Sequence, residues 1–189
     1  MWRVHSVHRD AEAMNPTGRP DPVSGGRFDS LDGSYAYLYL GNSQRAALAE
    51  ALTRDLPLDD EPRLVPHRAL HGRRLSEVEA TRSIAVVSVH GPGLTQLGQD
   101  TWLTKCDARN YRLTREWAHA IRSWAPTTAG FTYRCRHDED QLACVLFTPP
   151  TIAMHPRLAA TGTHIDLDTA EGHTLVRGML NLYNATLSR

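Results

Sequence analysis

Four side chains near the start of the sequence are of types that bind and transform an anionic ligand: Arg3, Arg27, Tyr39 and Glu50. The planar guanidinium of arginine binds phosphates and carboxylates through two parallel hydrogen bonds. A tyrosine ring packs against a flat ligand ring while its hydroxyl makes a hydrogen bond. A carboxylate stabilises positive charge that develops in a transition state. These residue types therefore predict a site for an anionic substrate.

Each of these residues also has a simpler interpretation when it is considered alone. Glu50 lies in ALAEAL, where an exposed helix position is the commoner role. Tyr39 fits a core position, and Arg27 fits a turn that requires Gly25 and Gly26. The hypothesis of a site therefore depends on the four residues being brought together.

Other catalytic patterns are weak. His67 and His71 have the i, i+4 spacing of a helical metal site, but no acidic residue stands between them and Pro66 disfavours a helix there. We therefore expect no metal. No GxSxG, GxxxxGK[ST] or GxGxxG pattern occurs, which argues against serine hydrolases, P-loop NTPases and Rossmann enzymes.

The composition is that of a soluble globular chain. The 189 residues are 41% hydrophobic, and 21 basic residues balance 21 acidic ones, which argues against direct nucleic-acid binding and a polybasic membrane anchor. Three cysteines without CxxC spacing, Cys106, Cys135 and Cys144, indicate a reducing cytoplasm. No apolar run is long enough for a membrane span, and the N-terminus lacks the apolar segment of a signal peptide.

Hydrophobic periodicity predicts the elements that would position the four residues. Strands are predicted at 2–7 and 34–40, joined by a long loop at 14–33, with a helix after Asn42 or Ser43 that carries Glu50. Residues 56–76 read as a surface excursion and the tail from 148 as a loop, followed by a helix at 168–187. The other predicted elements are a strand at 83–89, a helix at 108–124, and strands at 130–136 and 142–147. In the helix at 108–124, the expected core stripe is Leu113, Trp117, Ile121 and Trp124.

The order of short motifs then resembles one known family. The motifs are R-V-H at Arg3, G-G-R-F at Arg27, Y-L-Y-L-G through Tyr39, the helix with Glu50, T-R-x-W-A at Thr114 and G-F-x-Y-x-C-R at Gly130. This series resembles the RES-domain family, toxins of bacterial toxin-antitoxin systems that act on NAD. We interpret residues 1–189 as one RES-like domain with a motif-bearing core at 2–147 and a C-terminal extension at 148–189.

The resemblance implies a fold and a reaction. The implied fold is α+β, a single mixed domain of ADP-ribosyltransferase type whose short, mostly antiparallel split sheet is flanked by helices. The implied substrate is NAD, with Glu50, Tyr39 and Arg27 catalytic and with Arg3, Arg27, Tyr39, Cys135 and Arg136 binding it. Glu50 would stabilise the oxocarbenium-like ribose as nicotinamide leaves, and Arg3 and Arg27 would hold the diphosphate. The acceptor would be phosphate, water or a protein side chain.

The resemblance also implies a partner and leaves one alternative open. The partner is a small helix-turn-helix antitoxin, expected at the loop 14–33 and, as a second contact, at the stripe of Leu175, Met179 and Leu182. Where the family usually has a serine, this chain has Cys135, and the asparagine often found before the final L-F is not evident in QLACVLF. The alternative is therefore a catalytically impaired RES-like module that binds a nucleotide or a protein.

Overall fold

The strands and helices below belong to residues 1–21, 24–57, 59 and 61–188, which a computed structural model describes. The strands are β1 (Trp2–Ser6), β2 (Ala36–Gly41), β3 (Arg63–Pro66), β4 (Arg73–Ala80), β5 (Val87–Ser88), β6 (Gly130–Cys135), β7 (Asp138–Thr148), β8 (Leu158–Asp166) and β9 (Ala185–Ser188). The α-helices are α1 (Gln44–Leu48), α2 (Pro92–Gln96), α3 (Trp102–Lys105), α4 (Tyr111–Trp124) and α5 (Ala170–Asn181). A π-helical turn, Ala49–Thr53, directly continues α1.

The main sheet is mostly antiparallel and opens in its middle. Its strand order is β5-β6-β7-β2-β1-β4-β8, and only β5 and β6 run parallel within it. The central neighbours β1 and β2 pair only at Trp2 and Gly41, whereas β1 pairs with β4 from Trp2 to Ser6. The sheet therefore splits into two halves that diverge from this single pair. The predicted α+β fold with a mostly antiparallel sheet and flanking helices is confirmed.

Each half of the sheet carries one hydrophobic cluster, and a third cluster, which includes Leu38, Val78 and Leu158, spans both halves. On the β2, β6 and β7 side, α4 buries Ala118 and Ile121 against Phe131 and Tyr133. On the β1 and β4 side, α1 and α5 cover Leu75 with Leu48 and Val176. Because α1 also packs against β2 and β7, it bridges the two halves where they separate.

Two predicted loops are in fact strands of the main sheet. β4 overlaps the end of the segment 56–76, which the sequence predicts as a surface excursion. It pairs with β1 on one side and with β8 on the other. Its period-2 pattern is hidden because a bulge between Ser76 and Val78 shifts the alternation. β8 lies in the tail predicted as a loop. As an exposed edge strand it buries only Leu158, so no alternation of apolar residues marks it.

Other elements differ from the prediction in length or in the face they bury. The strand predicted at 83–89 is only Val87–Ser88, and the C-terminal helix ends at Asn181, before β9. Ser43 caps α1 as predicted, because its hydroxyl accepts from the backbone N–H of Ala46. The predicted stripe of α4 is wrong at Leu113 and Trp124, which are exposed. The face that α4 buries is Tyr111, Thr114, Arg115, Ala118 and Ile121.

In the part of the chain that the structure describes, no helix has both the length and the apolar character needed to cross a bilayer.

Candidate active site

A cavity of about 230 Å³ opens where β1 and β2 separate. Its walls come from both half-sheets and from the turn after α1. The side chains that matter for its chemistry are Trp2, Arg3, Tyr39, Glu50, Arg54, Arg73 and Tyr133. The split in the sheet thus brings Arg3, Tyr39 and Glu50 to one cavity, whereas Arg27, which was predicted with them, does not line it.

Glu50 presents a carboxylate whose two oxygens are both hydrogen-bonded. Arg27 Nη2 donates to Oε2 at 3.0 Å and Tyr133 Oη donates to the same oxygen at 3.2 Å. The backbone N–H of Arg136 donates to Oε1 at 3.1 Å. Glu50 lies in the π-helical turn, a local geometry that is frequent at functional sites. The carboxylate is therefore fixed in position while it still faces the cavity.

Arg27 is buried behind Glu50, with its side chain 2% exposed. Its guanidinium carbon lies 5.9 Å from the ring centre of Tyr111 and 5.8 Å from that of Tyr133. Burial lowers the pKa of Arg27, but Glu50 together with the nearby tyrosines Tyr133, Tyr111 and Tyr39 raises it by more, so the net pKa is above its ordinary value. Arg27 is thus held by its ion pair with Glu50, and it is not among the lining residues of the cavity.

The turn before Arg27 needs both glycines for different reasons. Gly25 has φ +80°, which side chains rarely adopt. At Gly26 an added Cβ would lie 2.6 Å from Tyr39 Oη and 2.7 Å from Asp29 Oδ1. Tyr39 Oη donates to Asp29 Oδ1 at 2.8 Å and accepts from the backbone N–H of Phe28 at 2.9 Å. The hydroxyl of Tyr39 is therefore used to hold this turn, and its ring lines the cavity.

Helix α4 anchors the same turn, which explains the T-R-x-W-A motif. The hydroxyl of Thr114 donates to the carbonyl oxygen of Arg27 at 2.7 Å. The guanidinium of Arg115, fully buried, donates to the carbonyl oxygen of Gly26 at 3.0 Å and also to the carbonyls of Arg19, Asp21 and Ser24. One arginine thus fixes a loop whose described residues, 19–21 and 24–26, form no helix or strand.

Arg3 is close to the cavity but is largely engaged by backbone. Its Nη1 donates to the carbonyl oxygens of Ala11 at 2.6 Å and Ala13 at 2.8 Å. Burial, with a smaller effect of the positive charge on Arg9, lowers the pKa of Arg3 to about 10, so the side chain stays protonated at neutral pH. Arg3 contributes charge to the cavity wall while it holds the segment after β1 in place.

Cys135 and Arg136 contact the site differently from the prediction that they form its edge. The Cys135 side chain is buried in the core, with Sγ 3.9 Å from the carbonyl oxygen of Ala46, and is not among the lining residues of the cavity. Burial raises the pKa of its thiol. Arg136 reaches Glu50 through its backbone, and its guanidinium donates to the carbonyl oxygen of Arg54 at 3.0 Å.

Sequence reasoning missed four residues of this site. Tyr133 and Tyr111 flank Arg27, and Arg54 and Arg73 line the cavity. Arg54 could have been found from its i, i+4 spacing to Glu50, since such residues share a helix face. Arg73 had no such signal, because its strand was not predicted.

The residues considered for metal binding do not assemble into a ligand set. The His67 ring packs edge-on against the His173 ring at 4.7 Å between centres. Across the described residues, no group of three His, Cys, Asp or Glu side chains is arranged to hold a metal ion.

Comparison with known proteins identifies the family of the chain. The chain matches the RES domain over residues 1–169 and therefore belongs to the RES domain family, so the resemblance drawn from the motifs is confirmed. Its fold is similar to that of a chain in the crystal structure of the M. tuberculosis MbcT–MbcA toxin-antitoxin complex. The TM-score is 0.62 at 18% identity, over 93% of this chain and 87% of the other. No curated protein matches the chain.

Proposed function

We propose that this chain consumes NAD in the split-sheet cavity by breaking the bond between nicotinamide and ribose. The observation that carries the proposal is the Glu50 carboxylate, which lines the cavity while Arg27, Tyr133 and the Arg136 N–H hold it from behind. Cleavage of this bond passes through an oxocarbenium-like state, which an adjacent fixed carboxylate stabilises. Membership of the RES domain family supports the same substrate.

In this mechanism the other residues position Glu50 and the substrate. Arg27 keeps the Glu50 carboxylate oriented, because its guanidinium is buried against it. The Tyr39 ring supplies a flat wall for nicotinamide or its ribose, and Arg3 adds positive charge for the diphosphate. Nicotinamide leaves as a neutral ring from a cationic one, so the step needs no proton donor.

The second substrate decides which enzyme this is. Inorganic phosphate as acceptor makes it an NAD phosphorylase, water a glycohydrolase, and a protein side chain an ADP-ribosyltransferase. Purified protein is incubated with NAD, with and without phosphate, and nicotinamide release is followed while the ADP-ribose product is identified. Nicotinamide release that requires phosphate indicates a phosphorylase. Release without phosphate indicates a glycohydrolase or an ADP-ribosyltransferase. No release under any of these conditions would contradict the proposal.

A second candidate is a catalytically impaired module that binds a nucleotide or a protein, suggested by Cys135 in place of the usual serine. The burial of Cys135 in the core, away from the cavity lining, favours the enzyme over this alternative. The same incubation separates them, because an impaired module binds NAD without releasing nicotinamide.

We further propose that the chain acts in the cytoplasm and is restrained by an antitoxin. The similar fold in a toxin-antitoxin complex supports such a partner, and we expect the helix-turn-helix type. Of the expected contact surfaces, residues 26–30 in the loop 14–33 are buried, as is Met179, whereas Leu182 is 64% exposed. Expression of the chain alone should arrest growth with falling NAD, and the neighbouring gene should relieve the arrest. Harmless expression of a catalytically active protein would contradict this.

A further inference from the structure

The cavity carries more positive charge than its walls neutralise. Among the described residues, its lining includes three arginines, Arg3, Arg54 and Arg73, and Glu50 is the one acidic residue. Arg27 already pairs with Glu50 at 3.0 Å. The three lining arginines therefore have no carboxylate of the cavity wall as a partner, and such a concave cationic surface attracts an anionic ligand.

The three arginines differ in how far they are free to bind it. Arg3 is committed to the carbonyl oxygens of Ala11 and Ala13. Arg54 makes one long contact to Asp55, 3.4 Å from Nε to Oδ2, and its guanidinium lies over the ring of Tyr111. For Arg73, the described residues supply no side-chain hydrogen bond or ion pair, although the side chain is partly buried. Arg54 and Arg73 are thus the cavity arginines whose guanidinium forks remain available.

Arg54 and Arg73 lie toward the outer part of the cavity. Exposure of the side chains increases from Arg27 at 2% to Glu50 at 12% and Arg54 at 25%. Arg54 is one helical turn beyond Glu50, and Arg73 reaches the cavity from β4, in the other half-sheet. The cavity of about 230 Å³ is smaller than the roughly 300–1,000 Å³ of sites that enclose drug-sized ligands. Only part of a dinucleotide therefore enters it.

We infer that Arg54 and Arg73 form the subsite for the phosphate groups of the substrate at the cavity mouth, with nicotinamide riboside as the part that enters. This inference rests on the proposed function and changes the assignment made from the sequence, in which Arg3 and Arg27 held the diphosphate. Arg27 pairs with the Glu50 carboxylate, and Arg3 donates to the backbone carbonyl oxygens of Ala11 and Ala13. The subsite selects substrates that carry a phosphate on the ribose 5′ position.

The test compares three substrates that differ in phosphate content: nicotinamide riboside, nicotinamide mononucleotide and NAD. Arg73→Gln and Arg54→Gln should each raise the KM for NAD and for the mononucleotide about tenfold, because a charge-assisted hydrogen bond contributes that much or more. The kcat should be unchanged, and kcat/KM for the riboside should change by less than about twofold. Arg73→Lys should restore part of the loss, since it keeps the charge but not the fork.

The matched control is Arg74→Gln, which lies on the same strand but faces the opposite side and pairs with Asp166. It should leave the KM values for all three substrates unchanged. An unchanged KM for NAD in both cavity variants, or an equal loss for the riboside, would overturn the subsite while the proposed function stood.

A binding measurement separates the two proposals. Calorimetry with ADP, which has no nicotinamide, should show binding to the natural protein that weakens about tenfold in Arg73→Gln. If the protein binds ADP in this way but releases no nicotinamide from NAD, the subsite stands and the proposed reaction fails. Absence of ADP binding at millimolar concentration would overturn the subsite.

Discussion

Arginines occur both near the inner wall and at the mouth of the cavity, but they differ in how many hydrogen bonds they already make to the protein. Behind the inner wall, Arg27 and Arg115 are buried, and their guanidinium groups are committed to Glu50 and to loop carbonyls. At the mouth, Arg54 and Arg73 have few partners within the described residues. Residue type therefore identifies a candidate ligand-binding residue. The hydrogen bonds that the residue already makes decide whether it stabilises the protein or is free to bind a ligand.

The largest expected effect tests whether the inner wall serves the reaction. Glu50→Gln keeps the shape of the side chain and removes its charge. We expect nicotinamide release to fall by about two orders of magnitude or more, since one fixed electrostatic contact to a transition state contributes about 10²–10³-fold. Glu79→Gln, an exposed carboxylate on β4, is the control and should retain full activity. Near-normal turnover of NAD by Glu50→Gln would show that the inner wall does not serve the reaction.

The next effect tests whether α4 holds the inner wall. Arg115→Gln cannot reach the carbonyls of Arg19, Asp21, Ser24 and Gly26 together. We expect the free energy of unfolding to fall by about 2 kcal/mol or more, because each buried polar group left unpaired costs ~1–3 kcal/mol. Urea denaturation measures the change. The control is Arg112→Gln in the same helix, where the exposed arginine side chain pairs with Glu116. This variant should change the free energy of unfolding by less than ~0.5 kcal/mol. Equal effects of the two variants would contradict the anchoring role.

A smaller effect tests how tightly the glycine turn fits. Gly26→Ala would push a methyl group against Tyr39 Oη and Asp29 Oδ1, so the hydrogen bond between them must lengthen. We expect nicotinamide release to fall about tenfold, equivalent to ~1.4 kcal/mol. Gly178→Ala in α5 meets nothing within 4 Å and should stabilise the protein by about 0.5–1 kcal/mol. Unchanged activity in Gly26→Ala would show that the turn tolerates displacement.

The smallest effect concerns the residue that departs from the family pattern. Because the Cys135 side chain lies in the core and not in the cavity lining, Cys135→Ser should change the rate of nicotinamide release by less than about threefold, or ~0.7 kcal/mol. A rise from no activity to clear NAD consumption would instead show that the cysteine impairs the natural protein. That result would favour the binding-module alternative for the natural chain.

The sequence predicted the elements around Glu50 well and the other half-sheet poorly. The segment of β2 is a continuous apolar run that is buried on both faces, whereas α4 and β6 each bury one face and show helical or alternating spacing. β4 begins Arg-Arg and contains a bulge, and β8 is an exposed edge, so neither shows a regular pattern. The roles of Arg27 and Arg115 depend on partners far along the chain, which spacing alone does not reveal.

The contacts that complete the site join residues remote in the sequence. Glu50 depends on Tyr133 and on the N–H of Arg136, and the turn bearing Arg27 depends on Arg115. Long-range contacts form late, because the entropy of closing the intervening chain must first be overcome. A nascent chain that ends before residue 136 therefore lacks these contacts of the carboxylate, even though Arg3, Arg27, Tyr39 and Glu50 have already been synthesised. Most of the chain must therefore leave the ribosome before the contacts around Glu50 can form.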